Sequence, residues 1–135
     1  MADPEVLERL DRLHEENKHK QIIWEIAHLP KEVQQGYDIQ SRKGRALGNL
    51  GEHSRAYRVL EPLREEGKED PLWWYRIGCC FFCMERDEEA RQAFTRAMEL
   101  GDEGDDCRRM LALIDERERS RQDASKALTM KGKKW

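Results

Sequence analysis

Cys79, Cys80 and Cys83 fall in one short stretch, Cys107 is the only other cysteine, and the four histidines, His14, His19, His28 and His53, lie in the first half. Thiolate and imidazole are the groups that hold soft and borderline metal ions, so metal or redox chemistry in this chain would have to start here. The spacing argues against it. Zinc sites draw cysteine pairs from turns, as in Cys-x2-Cys, and need two further ligands, whereas Cys79 and Cys83 stand one turn apart on a stretch that reads as helix. Adjacent Cys79 and Cys80 point about 100° apart on a helix, which disfavours a disulfide between them. The thiols are therefore read as small apolar side chains, and no metal or cofactor is expected.

The carboxylates offer no better catalytic set. Glu65-Glu66 and Glu88-Glu89 fall on helix faces expected to be solvated, and the acidic run 102–106 lacks the alternating ligands and terminal Glu of a calcium loop. No Gly-x4-Gly-Lys-Ser/Thr loop, Gly-x-Ser-x-Gly elbow or His-Glu-x2-His pair occurs, so an enzyme is not expected. With 25 basic against 28 acidic side chains and a net charge of −3, bulk attraction to nucleic acid is not expected either. No apolar run reaches the roughly 18 residues of a membrane span, and Met-Ala-Asp-Pro-Glu is not a basic, apolar export signal, which points to the cytoplasm and away from a membrane.

The elements that position these residues are set by a repeat. Gly44 and Gly78 stand 34 residues apart, as do Leu47 and Phe81, Ala56 and Ala90, and Leu60 and Phe94. One period upstream the same columns hold Leu10, Leu13, Ile22 and Ile26. A glycine inside a helix costs roughly 1 kcal/mol against alanine, so two in one column speak for a close helix crossing. Gly44 and Gly78 would lie at that crossing opposite Ala56 and Ala90, with Phe81 and Phe94 filling the space between successive units. The expected fold is all-α: an α-solenoid of three helix-turn-helix repeats, 3–36, 37–70 and 71–104, with a capping seventh helix from 105 to about 119 in a cap of 105–120. The repeat domain would span 3–120, and 121–135 reads as a mobile polar tail. Asp3-Pro4 and Asp70-Pro71 read as helix starts, Asn17, Gly51 and Glu85 as ends of the first helix of each pair, and Leu29-Pro30, Gly67 and Gly101 as ends of the second.

In the third unit Trp74, Ile77, Gly78, Phe81, Ala90, Phe94 and Ala97 follow the order Trp-x2-Leu-Gly-x2-Tyr, Ala-x3-Phe-x2-Ala. This resembles the tetratricopeptide repeat. The middle unit keeps Gly44, Leu47, Gly51, Ala56, Leu60 and Leu63 but has Gln40 and Lys43 where the family prefers Trp and Leu, and the first unit departs furthest. The resemblance implies a protein-binding scaffold whose first helices line a concave groove. Carrying the register across places Leu72, Tyr75, Cys79, Phe82 and Cys83 in that groove from the third unit. The second unit contributes Asp38, Ser41, Arg45, Gly48 and Asn49, and the first Pro4, Leu7, Asp11, His14 and Glu15. Some relatives clamp a C-terminal carboxylate there; of the clamp positions only Arg76 matches, since Leu7, Asp11 and Arg42 occupy others, so that activity is not expected.

The stretch 72–84 is apolar almost all round, with Arg76 its single charge. Trp74, Ile77, Gly78, Phe81 and Met84 make the stripe such a helix needs, leaving Tyr75, Cys79, Phe82 and Cys83 in surplus. The seventh helix or tail, a partner segment, or a second copy are the covers open to them. The function expected is a protein-protein interaction adaptor that binds a peptide or helical segment through Arg45, Asn49, Leu72, Tyr75, Arg76, Cys79, Phe82 and Cys83. The alternative is a regulatory or immunity-type protein that occludes a folded partner. The chain would be a monomer or weak homodimer.

Overall fold

The computed structural model describes residues 2–132. Two of its helices begin where an aspartate meets a proline. At α1 (Pro4–Glu15) the Asp3 carboxylate accepts the Glu5 N–H at 2.9 Å, and at α7 (Pro71–Cys83) Asp70 accepts the Leu72 N–H at 3.0 Å. Each satisfies a donor that the first turn leaves unpaired, while the proline has none to leave. The other Asp70 oxygen accepts the Tyr37 hydroxyl at 2.6 Å, which ties the start of α4 (Tyr37–Asn49) to the start of α7.

The first helices of the pairs all end alike. Asn17, Gly51 and Glu85 follow α1, α4 and α7 in the left-handed region, at φ of 59°, 79° and 61°. In each case the next N–H reaches back to close the helix: Lys18 to Leu13 O, Glu52 to Leu47 O and Arg86 to Phe81 O. Gly101, at φ 104°, ends α8 (Asp87–Glu99) through the same bond from Asp102 to Ala97 O. This is the Schellman closure, which glycine enters without strain and a glutamate does not. Glu85→Gly is accordingly expected to stabilise the fold by about 0.5 to 1 kcal/mol, the left-handed penalty less glycine's extra chain entropy. A thermal melt checks it, and an unchanged or lower Tm would contradict it.

The second helices pack back on the first at the glycine columns. A Cβ on Gly44 would stand 2.6 Å from Leu60 Cδ2, and one on Gly78 2.8 Å from Phe94 Cε1. The same contact thus recurs 34 residues on, but it joins the helices within a unit: Phe94 fills the crossing at Gly78 rather than a gap between units, as the sequence had implied. In the first unit Leu10 and Ile26 hold these two columns, both fully buried, so that pair is bulky on bulky. Two clusters form the core. One joins α1, α2 (His19–Ala27) and the near side of α4 through Ile39 and Ala46; the other runs from Leu47 through α7 and α8 to Cys107 and Ile114 of the last helix. No strand occurs among the described residues.

The structure differs from the seven expected helices in three places. A short α3 (Lys31–Gln34) follows Leu29-Pro30, because proline that cannot continue one helix opens the next. The second helix of the middle pair is α5 (His53–Leu60), a 3-10 turn (Glu61–Leu63) and α6 (Arg64–Gly67), since Pro62 removes a donor from its centre. The last helix, α9, runs Asp106–Gly132 and does not stop near Arg119. Nothing between Asp106 and Lys131 breaks a helix, and Ala124, Lys126, Ala127 and Leu128 favour one. Polarity had been read as the mark of a tail, but the side chains of residues 119–129 are exposed on a helix. The end of that segment, Lys133 to Trp135, lies outside the described residues.

One register detail of α7 also shifts. Trp73, not Trp74, is the buried indole, only 1% exposed, packed over Gly67 and donating from Nε1 to Leu60 O at 2.9 Å. Trp74 is half-buried and donates to Lys68 O. A helix apolar on every side carries no periodic signal to choose between them; the glycine that ends α6 makes room for Trp73.

Candidate functional site

An apolar concavity lies where α1, α4 and α7 come together under α9. It is a cleft of about 620 Å³. Along one wall α7 presents Leu72, Tyr75, Arg76, Cys79, Phe82 and Cys83. Arg45 and Asn49, one turn apart on α4, line the cleft as well, together with His14 and His53. All eight residues singled out from the sequence therefore share one cleft. Gly48 lies there too, whereas other groove expectations fail: Ser41 is buried, Asp38 accepts the Ala2 N–H at 3.2 Å, and Leu7 packs into the first core. The first unit contributes little because Asp11 is drawn aside.

Sequence reasoning missed Met110 and Leu113, which α9 adds to the apolar end, and His53 at the start of α5. A register carried only from the first helices has no means of placing a cap or the head of a second helix. The narrow stripe Cys107, Met110, Leu111 and Ile114 was the available signal; Cys107 and Ile114 do turn inward and are fully buried, which leaves Leu113 outside, 45% exposed.

α9 covers the surplus apolar face of α7 only in part. Its Arg117 lies 3.9 Å over the Phe82 ring, donates to Phe82 O at 2.9 Å and to Asp87 at 3.1 Å through Nε, and Arg121 reaches Asp87 at 3.0 Å. Arg91 of α8 holds Asp115 at 2.7 Å and Glu118 at 2.9 Å from the other side. These contacts fix α9 across the end of the stack. Tyr75 remains half-buried, its ring 5.9 Å from that of Phe94, Phe82 is half-buried under Arg117, and Leu72 is 53% exposed.

The polar end has its own internal charge pair. Arg42 grips both oxygens of Asp11 at 3.0 Å, and Arg45 donates to one of them at 2.9 Å. Burial pushes the Asp11 carboxyl up, but the hydrogen bonds and charges of the two arginines outweigh it and hold the group below the usual carboxylate range. A group whose pKa is lowered by folding contributes stability above its unfolded pKa and loses it as pH falls through the folded one. The stability gap between wild type and Asp11→Asn is thus expected to be constant in neutral solution and to close on acidification below the ordinary value of 3.8. Melts at stepped pH test this; a gap that widens in acid would contradict it. Arg45 is thus held by a carboxylate of the chain itself, which it shares with Arg42.

Arg76 is different. It has no hydrogen-bonded or ion-paired partner among the described residues, and burial, then the charge of Arg45, works against its ionised form. Burial, then the same Arg45 charge, also lowers the His14 pKa, which leaves that ring neutral at neutral pH.

Burial pushes the thiols up as well, to about 11 for Cys79 and about 12 for Cys80 and Cys107, and Cys83 rises too. Protonated thiols are poor nucleophiles and poor ligands. No group of three or more His, Cys, Asp or Glu is placed to hold a metal ion among the described residues, and no helix there is long and apolar enough to cross a membrane. The cleft lining contains no carboxylate. What it offers is apolar surface, the Arg76 cation that no described residue pairs, and a few amide and imidazole groups, a combination suited to recognition.

Stacked helix pairs with glycine at the second and third crossings, closed by a helix laid over the end, define the fold as an α-solenoid of the tetratricopeptide-repeat type. Among solved structures, the NMR structure of the first TPR domain of the human RPAP3 protein aligns with a TM-score of 0.75 over 87% of this chain and 93% of that one, at 15% sequence identity. No family model and no curated protein matches the chain.

Proposed function

We propose that this protein is a protein-protein interaction adaptor that binds a peptide or helical segment of another protein in the cleft between α4, α7 and α9. The observation that carries the reading is the partly covered apolar wall of α7. Leu72, Tyr75, Phe82 and Leu113 keep exposed surface beside the free charge of Arg76, in a fold whose stability is already served by Trp73, Ile77, Cys80 and Phe81 on the buried side. Clustered apolar surface of this kind on a stable scaffold marks a contact site. The fold shared with a TPR domain agrees with it.

Short peptides separate this reading from the alternative in which the protein occludes a folded partner, because an occluding surface loses its affinity when the partner is offered in fragments. Random peptides displayed on phage and selected on the immobilised protein should enrich, and the enriched clones should fail to bind a Leu72→Asp, Leu113→Asp variant that melts like wild type. Absence of enrichment, or clones indifferent to both substitutions, would overturn the proposal.

A further inference from the structure

The cleft is poor in hydrogen-bond acceptors. Its lining holds no Asp, Glu, Ser or Thr, and side-chain oxygens are limited to Asn49 and the Tyr75 hydroxyl. Its main walls are helices, whose interior carbonyls are already spent within the helix. An extended segment laid along α7 would bury a row of main-chain N–H groups with only Asn49, the Tyr75 hydroxyl and the ring nitrogens of His14 and His53 to receive them, the costly case for the polar groups left over. A helix brings those bonds with it and asks the walls only for apolar contact.

The geometry of the walls fits such a guest. The cleft-lining side chains of α7 recur at three- and four-residue intervals from Leu72 to Cys83, roughly 16 Å along a helix, and Met110 and Leu113 line the same cleft from α9 with the same spacing. Two helices so placed form a groove read by anchors at i, i+3 or i+4, and i+7. The charge is specified as well. Arg42 and Arg45 share the single carboxylate of Asp11, whereas Arg76 has no hydrogen-bonded or ion-paired partner among the described residues and stands in the middle of the apolar wall.

We infer that the occupant of the cleft is an amphipathic helix carrying one acidic side chain among its apolar anchors, set against Arg76. This deepens the adaptor reading and rests on it.

The probe is a library of random 16-residue peptides displayed with their C-termini joined to the carrier, followed by synthesis of selected sequences as amides. Selected peptides are expected to show apolar residues at helical spacing with one Asp or Glu among them, and to gain helicity in circular dichroism when the protein is added. A proline at the centre of such a peptide should weaken binding about a hundredfold, the helix-interior penalty converted at tenfold per 1.4 kcal/mol. Arg76→Gln should weaken the acidic peptide roughly tenfold and leave its Asn or Gln version unchanged, while Arg76→Lys keeps the preference. Peptides that tolerate the central proline, bind only with a free terminal carboxylate, or ignore Arg76→Gln would overturn the helical, acidic occupant while leaving the cleft as a binding site. Peptides unaffected by Leu72→Asp would overturn both.

Discussion

Gly78→Leu is expected to lower the stability of the protein by about 3 kcal/mol, the upper part of the range for forcing extra methylenes into a packed crossing, and to lower Tm by roughly 10 °C. The reason is the 2.8 Å approach that even a first carbon would make to the Phe94 ring. Phe94 is fully buried within the core cluster around it. Helix propensity pulls the other way, since any replacement of a helical glycine gains up to about 1 kcal/mol. Gly48 isolates that term. It lies on α4, and a Cβ there would meet nothing within 4 Å, so Gly48→Ala should raise stability by about 1 kcal/mol. Chemical unfolding of the two variants beside wild type checks the pair. Equal shifts in the same direction would mean that the crossing at Gly78 does not constrain the fold.

The second large effect concerns the cleft. Phe82→Ala and Tyr75→Ala are each expected to weaken a bound peptide by about 2 kcal/mol, near thirtyfold, as large aromatic anchors at the centre of an interface do. Both rings are half-buried and touch neighbours of the fold, Arg117 for Phe82 and Phe94 for Tyr75, so some loss of stability accompanies them. Leu72→Asp and Leu113→Asp replace exposed side chains and should weaken the same peptide with little change in Tm. Glu88 is exposed on α8 and takes no part in the cleft; Glu88→Ala should leave binding at the wild-type level. Fluorescence anisotropy with a labelled peptide from the display selection measures all five. Full affinity in both aromatic variants, with their fold retained, would remove α7 from the binding surface.

Much of the architecture was legible because it obeys short-range rules. Asn17, Gly51 and Glu85 mark the helix ends at one column of the repeat, and all three enter the left-handed region, the glutamate included. Gly44 and Gly78 announced close crossings before any partner was known, and each proves to face a large side chain one period from its counterpart. The residues on α7 and the second half of α4 reached the cleft for the same reason: their register is fixed by those glycines.

What escaped the sequence depended on interactions between distant residues or on signals that pattern does not carry. Trp73 and Trp74 are adjacent on a helix apolar throughout, and only the space over Gly67 distinguishes them. Arg45 was placed in the groove by its register, and the register could not show that it also donates to Asp11, 34 positions away. Met110 and Leu113 join the cleft because Arg91 and Arg117 fix α9 across its end, and an arginine's choice of carboxylate is not encoded in periodicity. Pro62 was visible as a helix breaker, yet the repeat pattern carried the helix through it to Gly67.

The central claim is that the concave cleft, and not the outer face made by the second helices, receives another protein. Titrating the ¹⁵N-labelled protein with a selected peptide and following its amide spectrum tests this most directly. The account predicts that the perturbed amides cluster at Arg45 to Asn49, His53, Leu72 to Cys83 and Met110 to Leu113, with α2, the outward residues Arg55, Arg58 and Val59 of α5 and the exposed side of α8 unmoved. Perturbations centred on those outer helices, with the amides of α7 unchanged, would contradict it.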